Sequence, residues 1–405
     1  MKTKILSFIF FFVSFVNLFA EEYQVNEHYI LRNGQPFVVK GVVYVPCYPG
    51  FLPWDLARQK DLPQNLQSRI SEDIQAIKDM GANTIRLWDA PVFTYQAIQD
   101  AGDLAVIQTI WFEVDAEDFQ DAAFKEKCKT KIKEVLDKIY SVYSKEESCP
   151  ILAYLFGNEL SEGSILRTNL NHSEINQYQG RYVSAPLGSN ATECFLAEMA
   201  DFFKSYEWDT YGRKHLVSYA NEVRTYHRLD TPFLDFRCFN AYSYALWDYG
   251  VSAKGSVTGS LFQGWMEELK AKYPQMPLLI TETGLSVSPK AKHIEGPNYG
   301  YGGNTPEEQA QALEQRWIDI TTARPPLAGI CIHEYLDAWW KFSLEDSQTQ
   351  DPNDVEEWFG LTAIEKTEEG FKTGFRPAYF RLQNLWRNSA QELSPSQPAE
   401  IVNRN

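Results

Sequence analysis

The chain has 405 residues, of which 44% are hydrophobic and 23% are charged, and this composition excludes a disordered, collagen-like or disulfide-dense small protein. Its formal net charge of −16 at pH 7 opposes sequence-independent binding to nucleic acid, so no nucleic-acid partner is expected. The length suits either two average domains or one large strand-helix barrel, so the order of the predicted elements must decide the domain count.

The first twenty residues have the pattern of a signal peptide. Lys2 and Lys4 precede an apolar run over residues 5–19. We therefore expect residues 1–20 to be removed and the protein to be secreted or periplasmic. A retained membrane anchor is the alternative, because Leu18 stands where a small residue is preferred. No later stretch reaches the roughly 18 apolar residues of a spanning helix, so no membrane association is expected after cleavage.

The cysteines give no sign of a metal site. They are widely spaced, and no Cys-x-x-Cys pair is present. The pattern leaves disulfide pairing open, although Cys238 and Cys331 lie in apolar runs that favour buried free thiols. We predict no metal and no other cofactor. The six positions are Cys47, Cys128, Cys149, Cys194, Cys238 and Cys331.

Eight short apolar runs predict strands that are covered on both faces, as in a parallel sheet. Longer segments of helical period separate these runs. The predicted strands are Phe37 to Tyr44, Thr84 to Leu87, Val106 to Trp111, Ile151 to Gly157, Leu216 to Tyr219, Phe236 to Ala241, Leu278 to Thr281 and Gly329 to His333.

Four apolar stripes predict helices that pack against this sheet. In the last of them, Asn304 and Thr305 offer capping residues before a proline in the first turn. The stripes are Leu66, Ile70, Ile74, Ile77 and Met80; Cys128, Ile132, Val135, Ile139 and Val142; Phe195, Met199, Phe202 and Tyr206; and Leu313, Trp317 and Ile320.

This alternation predicts an α/β fold, a single (β/α)8 TIM barrel over residues 21–390 with a flexible tail at 391–405. No Gly-x-Gly-x-x-Gly follows the first strand, which excludes the usual dinucleotide site. Long polar segments follow strands four, seven and eight, at 161–191, 285–304 and 341–357. In a barrel they become long loops on the C-terminal face, where chemistry occurs.

Two predicted strands end in glutamate within apolar surroundings. Glu159 follows Gly157-Asn158 at the end of strand four, and Glu282 lies in Thr281-Glu282-Thr283-Gly284 at the end of strand seven. A pair of carboxyl groups about 5 to 5.5 Å apart is what hydrolysis of a glycoside with retention requires. Other arrangements fail: His333-Glu334 begins a zinc-protease pattern, but Asp337 stands where its second histidine belongs.

These motifs resemble those of the clan A glycoside hydrolases, which are retaining (β/α)8 barrels, and the match covers nearly the whole chain after residue 20. The resemblance implies that Glu159 is the general acid and base and Glu282 the nucleophile. It implies that Asn158 binds the sugar 2-hydroxyl. It also implies that Arg86 lies near the nucleophile.

The same resemblance implies a tyrosine beside the nucleophile and a tryptophan under the reacting sugar. Tyr242 fits the tyrosine, with Tyr244 as its rival, because Asn240 stands where several members have histidine. Trp339 and Trp340 both fit the tryptophan. Other aromatic residues at predicted strand ends that could face sugar are Trp88, Trp111 and Trp247.

The motifs are most similar to the barrel domain of family two and to β-1,3-glucanosyltransferases. Family two enzymes carry β-sandwich domains before the barrel, whereas only 21–37 precede it here. The expected function is therefore a secreted retaining β-glycosidase that acts on a β-linked oligo- or polysaccharide. A transglycosylase with the same residues and a catalytically silent carbohydrate-binding barrel are the alternatives. Sugar, linkage, endo or exo attack and oligomeric state stay open.

Overall fold

The computed structural model describes residues 22–143, 149–244, 260–296, 299–341, 346–368 and 370–392. The predicted signal peptide lies outside these residues, as do Trp247 and positions 393–405 of the predicted tail. Within the described ranges, no helix is both long and apolar enough to cross a membrane.

Eight parallel strands close into a barrel in chain order, which confirms the predicted fold class. All eight predicted strands are present with small shifts at their ends. The largest shift is in the fifth strand, which continues beyond Tyr219 to Glu222. The strands are β1 (Val39–Tyr44), β2 (Thr84–Leu87), β3 (Ala105–Ile110), β4 (Ile151–Asn158), β5 (Leu216–Glu222), β6 (Arg237–Asn240), β7 (Leu278–Thr283) and β8 (Gly329–Ile332).

Helices cover the outside of the barrel and bury their apolar stripes against it. The four predicted stripes all lie on helices, and Thr305 caps its helix reciprocally with Glu308, as the sequence pattern indicated. The helices are Pro53–Arg58, Gln64–Asp79, Val92–Ala101, Ala122–Tyr140, Glu162–Asn171, Ala191–Tyr211, Leu261–Lys272, Pro306–Thr322 and Pro377–Glu392, with a 3-10 turn at Val355–Trp358.

Small sheets that the sequence did not predict lie outside the barrel. Tyr23–Val25, Ile30–Arg32 and Gln35–Pro36 form an N-terminal sheet. Its Tyr23 and Ile30 pack with the residues that fill the barrel interior. Two antiparallel pairs follow: Tyr178–Gln179 with Ser184–Ala185, and Thr362–Thr367 with Gly370–Phe375. Their strands are short or polar, so no apolar alternation marked them.

The barrel interior is filled by small and medium side chains. A Cβ added at Gly41 would come within 2.5 Å of the Cys331 sulfur, so β1 and β8 need glycine opposite cysteine there. All six cysteines are buried and free. The thiols of Cys238 and Cys331 therefore pack as small apolar groups.

A buried ion pair holds the segment after β8 to the last helix. Arg376 donates from Nη1 and Nη2 to the two carboxylate oxygens of Asp337, each at 2.7 Å, and both residues are buried. Asp337 also accepts from the Gly360 backbone N–H at 3.0 Å. This bidentate pair fixes the path of the chain that leads to Trp340 and Lys341.

Replacing the arginine should destabilise the protein strongly, because Arg376→Met leaves the Asp337 carboxylate buried without its cation. We expect the free energy of unfolding in urea to fall by about 3 to 5 kcal/mol. The double variant Arg376→Met/Asp337→Asn should lose less than the single one. A loss below about 1 kcal/mol, as exposed ion pairs give, would show that the pair does not hold this segment.

Candidate active site

A cavity of about 1090 Å³ opens at the C-terminal ends of the strands, and segments after all eight strands line it. A second cavity of about 810 Å³ adjoins the first at Glu159. Side chains common to both walls are Trp111, Asn158, Glu159, Glu222 and Arg224. The predicted loops contribute, since Glu162, Tyr301 and Glu356 belong to them. The mouth is therefore a cleft with two arms that meet at Glu159.

The turn after β4 directs Glu159 into this cleft. Gly157 has φ 73° and Glu159 has φ 51°, a left-handed conformation that side-chain-bearing residues rarely adopt. The Glu159 backbone N–H donates to the Ala220 carbonyl at 3.0 Å, which anchors the turn to β5. The strained backbone at Glu159 thus coincides with the turn that brings its carboxyl group to the cleft.

The strand pairing becomes irregular where the candidate residues lie. The register shifts between Ser218 and Ala220 in the β4–β5 pair and between Phe239 and Asn240 in the β6–β7 pair. Such irregularities turn side chains away from the regular alternation, and they are common beside active sites. They explain how successive residues at these strand ends reach one cavity.

The Arg86 guanidinium is fully buried and contacts two residues that line the cleft, Asn158 and Glu282. Nη1 donates to Glu282 Oε1 at 2.7 Å and to the Thr281 carbonyl at 2.8 Å. Nη2 donates to Asn158 Oδ1 at 2.7 Å, and Nε donates to Thr109 Oγ1 at 3.2 Å. A buried cation requires such partners, so Arg86 joins β2, β3, β4 and β7 around one point.

Glu282 is buried, and each of its carboxylate oxygens accepts a hydrogen bond. Besides Arg86 on Oε1, the Tyr242 hydroxyl donates to Oε2 at 3.0 Å. The two hydrogen bonds fix the orientation of this carboxyl group between Arg86 and Tyr242.

The surroundings of Glu159 favour the protonated form instead. Burial, the negative charge of Glu282 and that of Glu222 together raise the pKa of Glu159 to about 8. Asn240 Nδ2 donates to Glu159 Oε1 at 2.9 Å and to Asn158 Oδ1 at 2.9 Å. Asn240 Oδ1 accepts from Arg86 Nη1 at 3.2 Å, so one amide connects the two glutamate sites.

A third carboxylate, which the sequence analysis missed, lies at the end of β5. Glu222 is buried and accepts from Arg224 Nε at 2.5 Å. The other end of that guanidinium, Arg224 Nη2, lies 3.5 Å from Glu159 Oε2. The signal was present: extending the predicted strand by three residues would have placed Glu222 at its C-terminal end.

The structure separates the two tyrosine candidates. Tyr242 contacts Glu282 directly, whereas the Tyr244 ring packs 5.4 Å from the Tyr242 ring and 4.7 Å from the Tyr301 ring. Both line the cavity. Asn240, noted in the sequence as standing where histidine is common, is the amide that joins the two glutamates.

The two tryptophan candidates also separate. Trp340 lines the cavity, whereas Trp339 is 5% exposed and belongs to the apolar core between barrel and helices. The structure does not bring the Trp339 ring to the cavity wall, so of the two predicted sugar contacts only that of Trp340 remains a prediction. The residue directly after β8 that reaches the cavity is His333, whose ring stacks on Trp88 at 5.8 Å.

A buried ammonium group fixes the protonation of His333. Lys341 Nζ lies 2.9 Å from Glu334 Oε1 and 3.4 Å from Glu356 Oε2, and these carboxylates raise the pKa of Lys341. The same ammonium lies 3.0 Å from His333 Nε2. Burial and the charges of Lys341 and Arg86 lower the pKa of His333 well below its usual range. His333 is thus a neutral ring in the cavity wall.

Aromatic rings cover much of the remaining wall. Trp88, Trp111 and Trp340 line the main cavity, and the Trp88 ring centroid lies 5.6 Å from that of Trp111. Trp54, which was not singled out in the sequence, is 37% exposed and meets Trp340 edge to face at 6.3 Å. Exposed rings in a cleft offer broad apolar contact to a ligand.

No protein-family model matches the chain, and no curated protein matches it significantly. Solved structures do resemble it. A GH2 β-galacturonidase from Eisenbergiella tayi bound to galacturonate has a TM-score of 0.57 at 18% identity, over 91% of this chain and 54% of that one. A β-glucuronidase from Ruminococcus gnavus has a TM-score of 0.58 at 15% identity, over 90% and 53%.

A β-glucuronidase from Bacteroides uniformis has a TM-score of 0.60 at 13% identity, over 91% of this chain and 37% of that one. The chain therefore spans about half or less of the length of these solved proteins. At such identities the likeness shows the fold: this chain has the barrel architecture found within those larger proteins.

A double-variant comparison should expose the pairing of Arg86 with Glu282. Arg86→Met leaves a buried carboxylate without its cation, so we expect the free energy of unfolding to fall by about 3 to 5 kcal/mol. Arg86→Met/Glu282→Gln removes the unpaired charge and should be more stable than Arg86→Met alone. Urea titrations at pH 7 measure both differences. Glu282→Gln alone completes the comparison. If the double variant loses as much free energy of unfolding as Arg86→Met and Glu282→Gln lose separately, added together, the two side chains are not coupled.

Proposed function

We propose that this chain is a secreted retaining β-glycoside hydrolase that acts on a β-linked oligo- or polysaccharide by double displacement. The observation that carries the proposal is the contrast between the two glutamates. Glu282 accepts from Arg86 and Tyr242, whereas Glu159 has its pKa raised to about 8. An ionised carboxylate and a protonated carboxylic acid in one cavity are the two groups that this reaction needs.

In the first step, Glu282 attacks the anomeric carbon while Glu159 gives its proton to the leaving oxygen. The product is a glycosyl-enzyme in which the Glu282 charge is neutralised. Because that charge helps to raise the pKa of Glu159, its loss lowers the pKa. Glu159 can then take a proton from water, which releases the sugar with its original configuration.

Asn158 is placed to orient the reacting sugar. Its Oδ1 accepts from Arg86 Nη2 at 2.7 Å and from Asn240 Nδ2 at 2.9 Å. These two donors assign the orientation of the amide, so the Asn158 NH2 group is left to donate toward the cavity that it lines. A sugar hydroxyl beside the anomeric carbon is the partner that the motif resemblance implies.

The two-armed cleft supports an oligosaccharide as substrate. Glu282 lines only the main cavity, whereas Glu159 lines both. The cleaved sugar therefore belongs in the main cavity, and the leaving group belongs in the second one, beyond the acid. That second cavity of about 810 Å³ has room for an acceptor sugar, which keeps transglycosylation as the alternative outcome of the same chemistry.

Four further points support the proposal. The motif resemblance to clan A glycoside hydrolases covers nearly the whole chain after residue 20. Solved proteins with this barrel fold include β-glucuronidases and a β-galacturonidase. A silent binding barrel would not need two carboxyl groups in opposed surroundings. The signal-peptide pattern at residues 1–20 supports secretion.

Variants of the two glutamates should behave differently on an aryl β-glycoside with a good leaving group. Glu282→Gln removes the nucleophile, and we expect turnover to fall by a factor on the order of 10⁴ to 10⁶. Glu159→Ala should still form the glycosyl-enzyme, because a good leaving group needs no proton, but should hydrolyse it slowly. Added azide should then restore turnover and yield a β-glycosyl azide.

The matched control for this experiment is Glu365→Gln, which alters an exposed glutamate of the last hairpin and should keep wild-type turnover. Wild-type turnover by Glu282→Gln would overturn the proposed mechanism. An α-configured azide product would contradict retention. Product lengths from a defined oligosaccharide, followed over time, distinguish hydrolysis from sugar transfer.

The pH profile should report the proton on Glu159. With a substrate whose leaving group needs protonation, such as an oligosaccharide, kcat/KM should fall as the pH rises through about 8. Glu222→Gln removes a negative charge that raises this pKa, so the basic limb should move to lower pH. Arg224→Gln removes a positive charge that lowers it, so the limb should move to higher pH. Shifts in the same direction for both variants would contradict the assignment.

A further inference from the structure

The charges of the main cavity are unevenly distributed. The segments after β1 and β3 contribute the cations Arg58, Lys127 and Lys131 to the wall, and the acidic residues beside them are Asp89 and Glu113. The rest of the wall has four carboxyl groups and two cations. A chain with a formal charge of −16 therefore presents a locally basic face inside its own cleft.

The ion pairs of this face leave positive charge in excess. Asp89 accepts from two lysines, Lys131 at 3.1 Å and Lys138 at 3.0 Å, so one carboxylate is shared by two cations. Lys127 pairs with Glu113 at 2.9 Å, but the two side chains are 71% and 58% exposed, and such a pair contributes little. An incoming anion can compete for Lys127.

Arg58 is the cation of this face that has no partner among the described residues. It ends the helix Pro53–Arg58 and is exposed toward the cavity that it lines. The end of this helix is held in place, since Lys138 Nζ donates to the Ala57 carbonyl at 3.1 Å and also to Asp89. The backbone at Arg58 is thus fixed beside the lysines.

Two exposed rings lie in the same wall as these cations. Trp54 is 37% exposed and Trp111 is 40% exposed, and both line the cavity with Arg58. Rings bind the apolar faces of sugars, and a guanidinium binds a carboxylate or sulfate through paired N–H donors. Together they suit a sugar unit that carries an acidic group.

We propose that the wall formed by Trp54, Arg58, Trp111, Lys127 and Lys131 is a binding site for an acidic sugar unit of a β-linked glycan, on the side of the main cavity formed by the segments after β1 and β3. This inference rests on the proposed function for its placement beside a reacting sugar. Three cations against the two carboxylates Asp89 and Glu113 make this face the more positive part of the wall, which favours an acidic unit there.

Binding of matched oligosaccharides to the Glu282→Gln variant tests this site without requiring turnover. The probes are cellopentaose and laminaripentaose, each compared with its counterpart oxidised to the carboxylate at C6. Quenching of tryptophan fluorescence gives the affinities. In 20 mM NaCl we expect at least one oxidised pentamer to bind about 3 to 30 times more tightly than its neutral counterpart, with a smaller preference in 300 mM NaCl.

In the double variant Glu282→Gln/Arg58→Met, the preference for the oxidised pentamer should fall at least threefold. The affinity for the neutral pentamer should change less than twofold. The control is Arg181→Met, which removes an exposed arginine that pairs with Asp209 and lines neither cavity, and should leave the preference intact. Equal or weaker binding of both oxidised probes, a preference unaffected by Arg58→Met, or no binding by either charged probe overturns the site.

The binding experiment and the test of the proposed function can fail independently of each other. An Arg58-dependent preference in a protein whose wild type cleaves no glycoside would support the site and contradict the enzyme. Cleavage of neutral glycosides by the wild type, with no preference for oxidised probes, would support the enzyme and contradict the site.

Discussion

The arrangement of side chains at the C-terminal end of the barrel depends on one buried cation. Arg86 is fully enclosed, and a guanidinium in that position is tolerated only if its donors are satisfied. Its partners come from β3, β4, β6 and β7, so the requirement to satisfy one side chain fixes four strand ends relative to β2. The side chains around Arg86 are thus held in place by hydrogen bonds to one buried guanidinium.

The surroundings of the two glutamates differ because the Arg86 guanidinium contacts only one of them directly. Arg86 donates to Glu282 directly but reaches Glu159 only through the Asn240 amide. Glu159 therefore gains little compensation for burial, while Glu282 and Glu222 oppose its ionisation. Two residues of one chemical type thus have different surroundings because of their positions around a single arginine.

The sequence predicted the barrel and the strand-end residues because both depend on local patterns. The run Thr84 to Leu87 is apolar enough to identify β2, and Glu159 and Glu282 end runs of the same kind. Beyond the strand ends, no apolar pattern predicts which side chain faces the cavity. Trp339 and Trp340 are adjacent, and no local pattern distinguishes the ring that lines the cavity from the ring that lies in the core. Trp54 lies on a short helix with no periodic signal, so only the tertiary structure reveals its position.

The charged side chains of the cleft are unevenly distributed among the strand ends. Glu159, Glu222 and Glu282 end or follow β4, β5 and β7, and the charges of Glu222 and Glu282 raise the pKa of Glu159. Arg224 and Lys341 line the same part of the cleft and offset part of this negative charge. Arg58, Lys127 and Lys131 follow β1 and β3, where Asp89 and Glu113 are the acidic residues of the wall. The proposed site for an acidic sugar unit therefore lies on the side of the cleft where cations outnumber carboxylates.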